Sequence, residues 1–218
     1  MQYKLRITLL ALAVAVSTYA AASRDFWHEL ELGNDRFKDP VTGGQIEYKD
    51  LNSERTKLIA GQDPKITILS CADSRVPPEL VFAHSLGELF VVRVAGNVTD
   101  TFPLTSIEYA VGKKWTKLIV VMGHQECGAI KDAIATSNPP AGSLFARIKQ
   151  NIGGITNLTE ATKMNARKSA KYLTDRSATI RNAVCSGQLQ IKPACYDMTS
   201  GKVTELAPLP RTLSFPCR

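Results

Sequence analysis

Cys71, Asp73 and Arg75 stand two apart in Cys71-Ala72-Asp73-Ser74-Arg75, and His124 and Cys127 stand three apart in His124-Gln125-Glu126-Cys127-Gly128. A histidine and a cysteine at that spacing suit a zinc ion, and Cys71 can supply a second thiolate. Three protein ligands leave the fourth position of a tetrahedral metal open, which is the pattern of catalytic rather than structural zinc. One Zn²⁺ per chain is therefore expected on Cys71, His124 and Cys127. An aspartate beside an arginine stays ionised and is held in one orientation. The plain alternative for Asp73 and Arg75 is a structural ion pair. Their place beside a metal ligand favours catalysis.

These residues need elements to position them. Lys65-Ile66-Thr67-Ile68-Leu69-Ser70 is a β-branched apolar run that reads as a buried strand, and Pro77 and Pro78 then take the chain out of the sheet. If strand geometry persists to Arg75, Cys71, Asp73 and Arg75 share one face. Lys117 to Gly123 is a similar run that ends at His124. Both motifs thus lie at carboxyl ends of strands, where open α/β sheets bind ligands. Gly128 to Ile134 reads as a helix whose N-terminus favours thiolate at Cys127.

Four apolar runs, 65–71, 89–95, 117–123 and 188–197, alternate with helical stretches at Leu104–Lys114, Gly128–Ala135, Ser143–Asn151 and 160–185. That alternation predicts an α/β fold with right-handed crossovers. Phe26 to Phe37 reads as an amphipathic helix with Phe26, Trp27 and Leu30 on one side, and Trp27 and His28 read as packing. Residues 51–60 lead by a short helix into the turn Gly61-Gln62-Asp63-Pro64.

The 218 residues suit one domain with a sizeable core. The formal charge of +7 is spread out, with no basic run interleaved with aromatics, so nucleic-acid binding is not expected. Residues 1–22 read as a signal peptide, leaving 23–218 as the folded domain. Lys4 and Arg6 form a positive start, Ile7 to Val16 an apolar block too short to span a bilayer, and Ala20-Ala21-Ala22 a cleavage site. A periplasmic or secreted protein is expected, with no membrane contact after cleavage. In an oxidising compartment Cys185, Cys195 and Cys217 could form a disulfide or stay free. On one extended strand Cys185 and Cys195 are too far apart to pair, unless the chain bends at Pro193. Asn97-Val98-Thr99 and Asn157-Leu158-Thr159 are glycosylation sequons in a eukaryotic host.

Cys-x-Asp-x-Arg followed by His-x-x-Cys-Gly resembles the β-class carbonic anhydrases. Gly33 to Phe37, Arg93-Val94-Ala95-Gly96-Asn97, Ile107 to Val111, Ala194 to Asp197 and Thr199 to Val203 also look like segments of that family. The resemblance covers roughly residues 25 to 206. It implies a mostly parallel four-stranded sheet with an antiparallel edge strand, helices on both faces and an extended N-terminal helical arm. It also implies a homodimer or homotetramer, the arm packing on a neighbouring subunit. The implied reaction is zinc-dependent reversible hydration of carbon dioxide to bicarbonate and a proton, by attack of zinc-bound hydroxide. Asp73, held by Arg75, would orient that hydroxide. By the same resemblance Gln62 hydrogen-bonds the substrate oxygen, and Phe90, Ala95 and Tyr109 form an apolar wall suited to uncharged CO₂.

Some members of the family close the site by moving this aspartate onto zinc, and they carry a tryptophan three residues before the first cysteine. Here that position is Ile68, while Arg93 and Tyr109 match other parts of the regulatory pocket, so the open form is expected. His84 is either a proton shuttle or a surface histidine without a role. Two rival functions stay open: a non-enzymatic zinc protein, which would be expected to lack Asp73, Arg75 or Gln62, and an enzyme for a related molecule such as carbonyl sulfide or carbon disulfide.

Overall fold

The computed structural model describes residues 25–41 and 50–210. The segment 1–22, expected to be a signal peptide, and Cys217 lie outside the described residues. Strand β1 (Ile66–Ser70) is buried along its whole length, as expected of a β-branched run covered on both faces. It sits between β2 (Leu89–Arg93) and β3 (Leu118–His124) in a five-stranded sheet of order β2-β1-β3-β4-β5, with β4 at Gln190–Tyr196 and β5 at Val203–Glu205. β1, β2, β3 and β4 are parallel, and only β5 runs antiparallel. The chain passes from β1 to β2 on one side and then to β3 on the other, so the β1–β3 junction is a topological switch point. Ser70 pairs with Met122 there, which puts Cys71 and His124 at adjacent strand ends.

Alternation along the strands feeds two apolar layers. Ile66, Ile68, Leu118, Val120 and Met122 face one layer with Phe82, Ile130 and Ile148. Leu69, Ile119 and Val121 face the other with Ile107, Leu173 and Ile180. The covering helices are α1 (Phe26–Lys38), α2 (Leu51–Lys57), α3 (Pro78–Val81), α4 (Thr101–Gly112), α5 (Gly128–Ala135), α6 (Leu144–Ile152), α7 (Leu158–Arg176) and α8 (Ala178–Cys185). None of the described helices is long and apolar enough to cross a membrane.

Helix α1 is capped by Asp25, whose carboxylate accepts from the N–H groups of Trp27 and His28. Trp27 and Leu30 enter the core of their own chain, and Gly33 passes so close to the Phe82 carbonyl that a side chain has no room. Asn34 donates to the carbonyls of Val81 (3.0 Å) and Gly201 (2.8 Å) and accepts from Val203 N–H (2.8 Å). This part of the expected arm therefore belongs to its own subunit's core.

Two local expectations are corrected. The stretch 160–185 is two helices, because Ser177 (φ −113°, ψ 117°) leaves helical geometry and its hydroxyl accepts from Ile180 N–H to cap α8. The first strand ends at Ser70. A turn closed by Val76 N–H on Asp73 O (3.2 Å), not continued strand alternation, brings Asp73 and Arg75 together. Cys185 is disulfide-bonded and Cys195 is a free thiol, so these two do not pair. Asn97 is fully buried, which removes it as a glycosylation acceptor.

Candidate metal centre

Cys71 is the first residue past β1, His124 the last of β3, and Cys127 the cap residue of α5. Their ligand atoms all lie within 4.8 Å of one another, and all three residues are buried. The two sulfurs are 4.0 Å apart. Two zinc–sulfur bonds of about 2.3 Å at a tetrahedral angle would set them about 3.8 Å apart, so the gap fits that ion. His124 Nδ1 lies 2.9 Å from Gln125 O, which gives that nitrogen the proton. Nε2 is then left as an acceptor, buried and without a hydrogen-bond partner. An orphaned imidazole nitrogen facing two thiols is what a metal ion would satisfy.

Electrostatics couples the two thiols. The contact with Cys127 Sγ, with help from His124 and the Asp73 and Gly96 N–H groups, draws the Cys71 pKa down despite burial. The same contact, with burial, pushes the Cys127 pKa up, against the N–H groups of Ile130 and Ala129 at the start of α5. Two sulfurs this close do not both ionise without a cation to offset their repulsion.

Asp73 rims this group, its Oδ2 3.9 Å from His124 Nε2. Arg75 donates to it through Nε (2.9 Å to Oδ1) and Nη2 (2.7 Å to Oδ2), and the Arg75 N–H adds a third bond (3.0 Å). The guanidinium bonds hold the Asp73 carboxyl well below the usual carboxylate range. Arg75 Nη2 also reaches Glu126 O (3.2 Å), tying the two motif loops together. Glu126 has a positive φ of 53°, a strained conformation for a non-glycine residue immediately before a proposed ligand.

A carbonic anhydrase family profile matches residues 66–203, the segment that carries every one of these groups. The chain belongs to the carbonic anhydrase family. Carbonic anhydrase 2 of Mycobacterium tuberculosis is 35% identical over 187 residues, covering 81% of this chain and 89% of that protein. Among solved structures, the β-carbonic anhydrase CafA of Aspergillus fumigatus is 26% identical with a TM-score of 0.61, covering 71% of this chain and 81% of that one. A tetrameric β-carbonic anhydrase of Sordaria macrospora is 25% identical with a TM-score of 0.60, covering 88% and 97%. The fold is that of the β class.

Not every expected site residue of this carbonic anhydrase converges on the metal group. Ala95 does, since Gly96 beside it donates to Cys71 Sγ (3.2 Å). Gln62 lies on the exposed loop before β1. Phe90 pairs with Thr67, four residues before Cys71, which is about 13 Å down the sheet. There it stacks near Trp115 (6.5 Å between centroids), whose other edge meets Tyr109 (5.4 Å). Phe90 and Tyr109 therefore form a separate aromatic patch, with Tyr109 52% exposed.

His84 is neither a surface residue nor near the ligands. It is 5% exposed, with Nδ1 2.6 Å from Phe82 O and Nε2 3.7 Å from the Glu29 carboxylate of α1. Arg93 carries a role that sequence reasoning missed: Nε donates to Cys71 O (3.0 Å) and Nη2 to Asp73 O (2.5 Å). It clamps the motif loop, which occupies the guanidinium expected in a regulatory anion pocket. Ile68 is fully buried in β1. An arginine at the end of the strand beside the cysteine was the available signal, but its target depends on register.

Proposed function

We propose that this carbonic anhydrase holds one Zn²⁺ per chain on Cys71, His124 and Cys127 and catalyses the reversible hydration of carbon dioxide to bicarbonate and a proton. The observation that carries the reading is the buried two-sulfur, one-nitrogen group with an ionised aspartate on its rim. A bound zinc ion supplies a Lewis acid that lowers the pKa of water from about 15.7 toward about 7, an effect known from the three-histidine carbonic anhydrases. The protein's own residues supply the rest. Asp73, with both oxygens on Arg75, is an acceptor only, so it takes the hydrogen bond of the attacking O–H and turns the oxygen lone pair toward CO₂. Gln62, exposed on its own chain, is assigned like Phe90 and Tyr109 to the site of a neighbouring copy, where its amide would donate to the substrate oxygen as charge develops. Ala95 gives the carbon dioxide an apolar seat beside the ligands.

Two independent tests apply. Stopped-flow measurement should show CO₂ hydration by the zinc-loaded protein, loss on chelation and recovery with Zn²⁺. A loaded protein that is no faster than buffer would overturn the reading. The second test concerns assembly. Among the described strands β2 is a sheet edge, and beside it Phe102 (81% exposed) and Tyr109 present apolar surface that a second copy of this chain would cover. We read the protein as a homodimer or homotetramer in which Phe90 and Tyr109 wall the site of a neighbouring copy. Sedimentation velocity should give at least a dimer, and Tyr109→Glu should shift it toward monomer. A monomeric wild type with full activity would sink that part.

Export to the periplasm or secretion belongs to the same proposal. It rests on Lys4, Arg6, Ile7 to Val16 and Ala20 to Ala22, and the disulfide at Cys185 suits an oxidising compartment.

A further inference from the structure

Beside the metal group lies a chain of buried amides that the chemistry above does not use. The turn Ala95–Asn97 is interrupted by Gly96 at φ 64° and ψ 19°, a conformation that favours glycine. A side chain at Gly96 would also meet Ile148 Cδ1 at 3.0 Å, so the turn is fixed by both backbone and packing. In this conformation the Gly96 N–H points at Cys71 Sγ (3.2 Å) while its carbonyl faces the opposite way. That carbonyl accepts from Asn165 Nδ2 on α7 at 2.6 Å. Asn165 Oδ1 accepts in turn from Asn151 Nδ2 on α6 at 2.9 Å, and the same amine reaches Ser169 Oγ at 3.3 Å. Asn165 and Ser169 are fully buried and Asn151 is 5% exposed.

Buried amides are poor material for a helix contact that apolar side chains would serve as well, since each is destabilising if a partner is lost. This chain ends on the carbonyl of Gly96, one residue's φ and ψ away from the N–H that Gly96 presents to the Cys71 sulfur. Such N–H···S bonds draw charge off the sulfur and temper what it donates to a metal. Two thiolates donate more charge than two imidazoles, so a site of this composition gains Lewis acidity from each bond of this kind. Asp73 N–H supplies a second donor to the same sulfur at 3.4 Å, but from within the motif loop itself.

We propose that Asn165, oriented by Asn151, is a positioning residue that holds the Gly96 N–H on the Cys71 sulfur and so sets how strongly that thiolate donates to the metal. The proposal rests on the zinc assignment made above. It is tested on the Co²⁺-substituted protein, whose thiolate-to-cobalt charge-transfer band reports sulfur donation directly, together with Zn²⁺ affinity against a chromophoric chelator. Asn165→Leu should move the band to longer wavelength, because the sulfur then donates more, and weaken Zn²⁺ binding by about 10- to 100-fold, because the Gly96 turn no longer holds that sulfur in place, the usual cost of losing an outer-sphere partner. Should that variant not fold, Asn151→Ala keeps Asn165 in place and should move both readouts the same way by less. Thr99→Val removes a buried bond to Ser169 O (3.1 Å) in the same region but off the path to Gly96, and should leave the band in place. An unmoved band with retained affinity in folded Asn165→Leu or Asn151→Ala overturns the proposal. So does an equal shift in Thr99→Val, which would mark general loosening. A wild-type protein without any charge-transfer band would instead overturn the zinc assignment.

Discussion

Cys127→Ser and Cys71→Ser should each lose zinc and carbon dioxide hydration together. The hydroxyl of serine is protonated at neutral pH and is a harder, weaker donor than thiolate, so one of three ligands is removed outright. The deficit should exceed the about 10- to 100-fold that outer-sphere changes cost. Cys127→Ser is the cleaner of the two, because Cys127 caps α5 and serine is a favoured cap residue. The helix should therefore start where it does now, and lost activity will not reflect lost structure. Elemental analysis after dialysis decides the matter. Full occupancy in Cys127→Ser would remove Cys127 from the ligand set.

Asp73→Asn should keep zinc and lower kcat/KM by at least ~10²-fold, the lower end of effects from removing a positioned acid–base group. The amide has the same size, yet it brings an NH₂ group into a site where Arg75 donates to both oxygens. One carboxamide oxygen cannot satisfy Arg75 and also accept from the attacking O–H. The three ligands are untouched, which is why metal content and rate should separate. A rate near wild type with zinc in place would end the role assigned to Asp73. The pH dependence follows from the direction of its shift. A carboxyl held below its ordinary value stays ionised at every pH above that ordinary value, near 4, and its share of stability is lost only as the pH falls further. Any acid limb of the rate between pH 5 and 9 therefore arises elsewhere.

The chemistry of this protein was legible because it is local. Cys71, Asp73 and Arg75 fall within five residues, and His124 and Cys127 within four. The runs before them, β-branched and uninterrupted, demand burial on both faces and so a parallel sheet, whose strand ends are where such motifs meet. Asp73 and Arg75, two residues apart in the sequence, do pair with each other.

What the sequence did not contain is the register between distant segments. Arg93 serves the motif loop because Ser70 lies opposite Arg93 across two strands, which no local pattern states. Phe90 and Tyr109 stand apart from the ligands for the same reason, since pairing with Thr67 sets Phe90 well below Cys71. His84 looked like a surface histidine until α1 packed over it with Glu29. Asn165 and Asn151 look like ordinary polar helix residues, and only the packing of α6 and α7 against the Gly96 turn aims them at one carbonyl. Ligand identity is a property of residue type and short spacing, which one segment carries alone. Support of those ligands is made by side chains tens of residues away, and the fold alone decides which of them arrive.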